Sequence, residues 1–121
     1  MKEQLVTYKT AKLAKEKGFK QCYYPCYADD EEIHTVSYFQ QFFEKERYYA
    51  PTQSLLQKWL REKHNLDIQI FCFRYLDNGK FYVFNIFQRY DLDDISDEYN
   101  TYEDALEEAL LNALKLININ L

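Results

Sequence analysis

Four polar residues between positions 52 and 64 are the strongest candidates for binding chemistry: Gln57, Lys58, Arg61 and His64. If this stretch is helical, all four fall on one arc, because a helix turns about 100° per residue. Glutamine, lysine and arginine side chains hydrogen-bond carboxylates, phosphates and base edges. The pattern therefore predicts a partner-binding surface on one side of a helix.

Residues around these four favour that helix. Thr52 is a suitable N-cap, with Ser54 as the rival, and Asn65 is suited to the left-handed position after the last turn. The polar arc also includes Gln53 and Ser54. The opposite arc is apolar and is expected to anchor the helix in a core; it consists of Leu55, Leu56, Trp59 and Leu60.

The partner of this surface is predicted to be a protein, with nucleic acid as the alternative. A helix followed by a β-hairpin is found in winged helix-turn-helix proteins, but this hairpin is unusually aromatic and the preceding helix lies far upstream. The formal net charge of −5 also opposes phosphate binding, which needs clustered cations. The plainer interpretation is a solvated amphipathic helix without a partner.

Cysteine and histidine spacing does not favour a metal site. Cys22 and Cys26 would lie about 13 Å apart on a strand, too far for a disulfide or a shared ion. His34 and His64 are the only histidines. We expect reduced thiols, no metal and no cofactor.

The acidic run from Asp91 to Glu98 could be mistaken for a calcium loop. It lacks the glycine at the sixth position and the terminal glutamate of such loops, so a solvated loop is predicted. The sequence also contains no GxSxG, P-loop or GxGxxG motif, and only 2 glycines. No catalytic residue is therefore predicted, and the expected function is non-enzymatic.

The clearest β-hairpin pattern runs from Leu66 to Tyr90, with Asn78-Gly79 typical of a type I′ turn. This turn predicts an aromatic ladder packed against the helices, with the pairs Tyr75/Tyr82, Phe73/Phe84 and Phe71/Ile86. The other hairpin face would carry Ile68, Ile70, Val83 and Phe87. It is expected to be covered by the chain itself or by a second copy, which would make a homodimer through the hairpin face.

The remaining elements are predicted on both sides of this region. A first helix over 7–17 carries a lysine stripe, and a last helix begins after the N-cap Thr101. Strands are expected over 19–27 and 33–39, with a short helix near 39–43. Together these elements predict one α+β domain over residues 1–121, with an antiparallel sheet of about four strands, three helices and the order α-β-β-α-β-β-α.

Charge and hydropathy give expectations about packing and location. Residues 1–20 contain six lysines and two glutamates, whereas residues 91–121 contain nine acids and one lysine. The two ends are expected to pack together or to face different partners. No signal peptide and no run of about 18 apolar residues is found, which predicts a cytoplasmic protein outside the membrane.

Three segments of the sequence resemble short uncharacterised proteins of Bacteroidetes phages and integrated elements. They are MKEQLVTYKTAKLAKEKGF, APTQSLLQKWLREKHNL and NTYEDALEEALLNALKLI, which cover about half of the chain. The resemblance implies a small cytoplasmic product of a mobile element. It implies no activity, so no residue acquires a role from it.

Overall fold

The computed structural model describes residues 4–19, 26–28, 33–34, 47–77, 79–87 and 96–117. Within these residues the helices are α1 (Tyr8–Glu16), α2 (Gln53–His64) and α3 (Tyr102–Lys115). The strands are β1 (Cys26–Ala28), β2 (Ile33–His34), β3 (Arg47–Tyr49), β4 (Asp67–Arg74) and β5 (Lys80–Phe87). The predicted α+β class and its three helices are therefore confirmed for the described part of the chain.

The helix ends are those that the sequence predicts. Thr7, Thr52 and Thr101 are the N-caps, and each hydroxyl accepts a hydrogen bond from the amide three residues later. Gly18 (φ 99°) and Asn65 (φ 56°) adopt the left-handed conformation after α1 and α2. These end signals are local, which is why the sequence reveals them directly.

The strands form two antiparallel sheets instead of the predicted sheet of about four strands. The order in the first is β2-β1-β3, and β4 and β5 form a separate hairpin. Strand β3, which the predicted order omits, precedes α2 and pairs with β1. It has only three residues, too few for an alternating pattern to identify it. The short helix predicted near 39–43 lies outside the described residues.

The predicted hairpin register is wrong. Phe71 lies opposite Val83, Phe73 opposite Phe81, and Ile70 opposite Phe84. Tyr75 N–H donates to the Gly79 carbonyl at 2.7 Å, so the connection is longer than a two-residue turn.

The physical reason for the longer connection is visible at Asp77. Its side-chain oxygen accepts from Gly79 N–H at 3.2 Å, an Asx-type contact that competes with the predicted turn. The true register differs from the predicted one by three residues. An odd difference puts the side chains of β5 on the opposite face relative to those of β4.

Helix α3 lies at the centre of the core and is the most buried of the described helices. It packs against α1, α2 and both strands of the hairpin. Leu111 is buried, whereas Tyr102 and Leu116 at the two ends of the helix are exposed. Side chains with almost no exposed surface include Leu56, Leu60, Leu66, Leu110 and Leu114. Each such leucine stabilises the fold by about 1.5–3 kcal/mol relative to an exposed side chain.

The basic and acidic ends of the chain pack together, as one of the two expectations states. The Glu107 carboxylate accepts from Thr7 N–H at 3.0 Å and also from the Thr10 hydroxyl. Lys17 Nζ donates to the Ile117 carbonyl at 2.8 Å. These bonds fix α1 on α3.

Candidate functional site

The four predicted binding residues of α2 do not share one environment. Lys58 and Arg61 are exposed, whereas Gln57 and His64 are half-buried. Gln57 Nε2 donates to the Ile68 carbonyl at 3.1 Å and thereby ties α2 to β4. The amide therefore has a structural role that the helical wheel cannot show.

His64 is held against the aromatic side of α2. Its ring lies 4.7 Å from the Trp59 ring, at an interplanar angle of 69°. Trp59 in turn contacts Phe19 edge-to-face at 5.2 Å. Burial lowers the pKa of His64, because the imidazolium is less well solvated there. This histidine therefore packs as a neutral ring near pH 7.

Gln53, predicted on the polar arc of α2, is only 4% exposed. Its Nε2 donates to the Glu103 carbonyl and to Glu107 Oε1, each at 3.0 Å. The polar start of α2 thus meets the same Glu107 that binds α1. The prediction that Gln53 faces solvent is wrong, because a polar side chain can be buried when acceptors are available for its hydrogen bonds.

Two of the four predicted residues, Lys58 and Arg61, thus remain exposed on α2. Their role in binding stays a prediction. Two exposed cations steer an acidic partner towards the helix but supply little affinity by themselves.

A different surface presents large exposed apolar side chains. It lies on the face of the hairpin away from α3, and we call it the aromatic face: Phe71, Phe73, Tyr75 and Phe81. Phe71, Phe73 and Tyr75 are 37%, 46% and 47% exposed, and Phe81 is half-buried. Leu76 is fully exposed at the tip.

The rings of the aromatic face contact one another in a fixed order. Phe73 and Phe81 form a cross-strand pair with centroids 5.6 Å apart and an interplanar angle of 24°. Tyr75 lies 4.8 Å from Phe81 at 37°. Because Phe73, Tyr75 and Phe81 are held by contact with one another, these three rings lose little conformational freedom on binding.

The charges near the aromatic face are acidic. The Tyr75 hydroxyl donates to Glu98 Oε2 at 3.0 Å. The hydrogen bond to Glu98 and then desolvation raise the pKa of Tyr75, so the phenol stays neutral. Asp67 lies on the same side of β4 by strand alternation. Lys80 is on the other side, with its Nζ 5.9 Å from the Tyr82 ring.

The opposite face of the hairpin belongs to the core. Ile68 and Phe84 are buried there, and Ile70 and Ile86 pack against the same cluster. The predicted ladder is thus divided: Phe84 and Ile86 face the helices as predicted, whereas Phe71 and Phe73 face away. The predicted outer set is divided as well. Ile68 and Ile70 face the helices, whereas Val83 and Phe87 lie on the opposite side of the sheet.

One signal in β4 could have identified these faces. In the sequence DIQIF, polar Asp67 and Gln69 alternate with Ile68 and Ile70. Strict alternation of this kind predicts that the two isoleucines point inward and that Phe71 points outward. The turn preference of the Asn-Gly pair predicts the opposite assignment of the faces, and that prediction is wrong.

Two clefts are further candidates for ligand binding. One, of about 460 Å³, lies between α1 and α3 and is lined by Lys9, Lys12 and Lys115 above the apolar Leu13 and Leu111. The other, of about 590 Å³, lies beside β5 and the end of α3; its polar lining includes Asn85, Ser96, Asp97, Asn112 and Lys115. The lysines are exposed, so neither cleft has the buried charged group typical of a specific anion site.

The described residues contain no group of three or more histidine, cysteine or acidic side chains that could hold a metal ion. Cys22 and most of the acidic run lie outside those residues, and Cys72 is an exposed free thiol. No helix in the described part of the chain has the length and hydropathy needed to cross a membrane.

Comparison with known proteins gives no match to a family model, to a curated protein or to a solved structure. The geometry of the chain itself therefore carries the functional argument.

Proposed function

We propose that this chain is a non-enzymatic binding module that recognises a protein partner through its aromatic face. The observation that carries the proposal is the exposure of Phe71, Phe73 and Tyr75 on a rigid hairpin. Leaving an aromatic side chain in water forfeits about 1.5–3 kcal/mol of burial free energy. Contiguous exposed aromatic surface of this kind marks interaction sites in folded proteins.

The charge around the surface supports a protein partner over nucleic acid. No described side chain on this face of β4 and β5 is cationic, whereas Asp67 and Glu98 border it. Stacking of nucleotide bases on aromatic rings needs nearby cations for the phosphates. The arrangement instead fits an apolar protein surface flanked by lysine or arginine.

Helix α2 is the second candidate surface, for protein or for nucleic acid. Its exposed cations are Lys58, Arg61 and Lys63. They lie on α2, whereas the exposed aromatic rings lie on the hairpin, so variants can test each surface alone. The cytoplasmic location and the mobile-element context remain predictions from the sequence.

The proposal is tested by quantitative capture from the native cell, with wild-type protein and two matched variants. Phe73→Ser removes the centre of the aromatic face, and Lys58→Glu with Arg61→Glu reverses the charge of α2. We expect the first variant to lose a specific partner that the second retains. Loss in the α2 variant alone contradicts the proposal.

A titration with single-stranded and duplex DNA and RNA at two salt concentrations addresses the alternative. Weak binding is expected at both. Tight binding that falls steeply with salt would overturn the preference for a protein partner.

A further inference from the structure

The cleft between α1 and α3 combines an apolar floor with a cationic rim. The two helices run parallel along it, because Thr7 bonds to Glu107 at one end and Lys17 bonds to Ile117 at the other. Its volume of about 460 Å³ lies within the range of ligand-binding clefts. The described residues that line it belong to α1 and α3 alone, so the cleft is separate from the hairpin.

The floor of the cleft is built from side chains that the fold holds in place. Leu111 is only 6% exposed, and the half-buried Leu13 packs against the main core. Tyr8, at the start of α1, also lines the cleft, and its ring is held edge-to-face by Tyr27 and Tyr48 at 5.8 and 5.6 Å. A floor held in this way can receive an apolar side chain without rearranging first.

The rim of the cleft has three lysines: Lys9 and Lys12 on α1, and Lys115 on α3. All three are exposed, and no described residue forms an ion pair or a hydrogen bond with any of them. Glu16 is the single acid among the described lining residues. The rim is thus cationic in a chain whose formal net charge is −5.

The stability of α1 does not explain the position of Lys9. A cation in the first turn of a helix is unfavourable, because the helix dipole places positive charge at that end. Helix α3 follows the usual preference, with Glu103 and Asp104 in its first turn, whereas α1 has no acid there. Glu107 reaches the start of α1 through Thr7, but it does not pair with Lys9. A local rule that is broken without a structural gain indicates a functional position.

The chemistry of the cleft favours an acidic segment of another protein. An apolar centre surrounded by exposed polar side chains is the usual arrangement of a protein interface. Aspartate and glutamate side chains complement unpaired lysines on such a rim. Nucleic acid fits less well, because bases stack on exposed aromatic rings, whereas leucines form most of this floor.

We propose that the cleft between α1 and α3 is a second docking site, which binds an acidic segment of a partner protein. An apolar side chain of that segment enters between Leu13 and Leu111, and its flanking carboxylates lie near Lys9, Lys12 and Lys115. The α1 side of the cleft follows the nine residues of that helix, about 13 Å. This length fits about two turns of an amphipathic partner helix.

A selection from a displayed library of random peptides tests the chemistry of the occupant. The wild-type chain is the bait, and each round includes a counter-selection on the variant with Lys9→Glu and Lys12→Glu. That variant keeps the aromatic face, so the counter-selection removes peptides that bind there. We expect the surviving peptides to carry an apolar residue flanked by aspartate or glutamate. Survivors without acidic residues, or no survivors at all, would overturn the proposal.

The affinity of the strongest selected peptide, measured by fluorescence anisotropy, tests the rim. Lys9→Glu with Lys12→Glu should weaken binding roughly tenfold or more, because two attractive contacts become repulsive. Lys58→Glu with Arg61→Glu on α2 is the matched control, since it changes the net charge by the same amount, and it should weaken binding less than about twofold. Equal weakening by both variants would show a general charge attraction and no site.

Two milder variants test the floor and the α3 side of the cleft. Lys115→Gln removes one charge at an exposed position and should weaken binding roughly threefold. Leu13→Ala shortens the apolar floor and should weaken binding about fivefold. Circular dichroism shows whether this second variant keeps the fold, and if it does not, Lys115→Gln decides alone. Binding that Lys115→Gln leaves unchanged contradicts a site between the two helices.

Competition distinguishes the other possible occupants. Displacement of the peptide by equimolar dodecanoate would assign the cleft to a small apolar anion, and displacement by single-stranded DNA would assign it to nucleic acid; either result overturns the proposal. Phe73→Ser should leave the peptide affinity unchanged, because the aromatic face lies on the hairpin. Failure of this inference therefore leaves the proposed function intact.

Discussion

The two faces of the β4–β5 hairpin have similar side chains and opposite environments. Phe84 on the inner face is 8% exposed and packs in the core, whereas Phe73 on the outer face is 46% exposed. Helix α3 contacts both strands and accounts for the difference. Residue type alone therefore does not assign a side chain to the core; the position of the covering helix does.

The side chains of the two hairpin faces are held in place by different contacts. Inner-face residues are fixed by the surrounding core, and outer-face rings are fixed by one another, through the Phe73–Phe81 and Tyr75–Phe81 contacts. Ring–ring contacts of this kind contribute about 0.5–1.5 kcal/mol beyond burial. The outer face is thus ordered where Phe73, Tyr75 and Phe81 contact one another. Val83 and Asn85 lie on the same face but are only 3% and 6% exposed, so the part of this face nearer the turn is the part that is open for binding.

The largest predicted effect is on the inner face. Phe84→Ala should lower the free energy of unfolding by about 3–5 kcal/mol, because it opens a cavity beneath α3. Phe73→Ala is the matched control and should cost less than about 1.5 kcal/mol, since only ring–ring contacts are lost. Urea unfolding measures both. Equal losses would show that the two faces are equally buried.

The next effect concerns the buried polar junction of the three helices. Glu107→Ala removes the acceptor of the buried Thr10 hydroxyl and one of the two acceptors of the Gln53 amide. Leaving buried donors unsatisfied should cost about 2–3 kcal/mol. Glu108→Ala, at an exposed neighbouring position, is the control and should have little effect. Similar values for both would mean that the junction contributes no stability.

A smaller effect is expected on α2. Lys58→Glu with Arg61→Glu should change the free energy of unfolding by no more than about 0.5 kcal/mol, because both side chains are exposed. A thermal melt checks this value. A large loss would show that these cations stabilise the fold, which would remove α2 as an independent binding surface.

The smallest effect is a pH dependence from His64. Burial lowers its folded pKa below the unfolded value of 6.5, so the unfolded state binds the proton more tightly. Stability should therefore fall as the pH decreases through about 6.5 and level off below the folded pKa. His64→Phe keeps a ring against Trp59 and should remove this part of the pH dependence. If the variant has the same pH dependence of stability as the wild type, groups other than His64 are responsible for that dependence.

The sequence predicts the helices well and the hairpin faces poorly, for a physical reason. Helix ends depend on local signals such as Thr52 and Asn65, which act within one turn. The hairpin register depends on the contact between Asp77 and Gly79 and on which side α3 covers. Both are set by interactions that a turn preference does not include.

The sequence directed attention to α2, whereas the structure directs it to the hairpin. The non-enzymatic binding function remains a prediction. The polar arc of α2 was the natural candidate, yet the partners of Gln53 and Gln57 lie in α3 and β4 and are invisible on a helical wheel. The alternation in β4 indicates which side chains face outward, and the observed register adds Phe81 to the aromatic face.

The most direct test of the central claim is hydroxyl-radical footprinting with and without the captured partner. In the free protein, Phe73 and Tyr75 should be modified much faster than Phe84, because they are exposed. In the complex, modification of Phe73 and Tyr75 should fall while the peptide containing Lys58 and Arg61 is unchanged. Protection of that α2 peptide, with Phe73 and Tyr75 still modified at the free rate, would contradict the account.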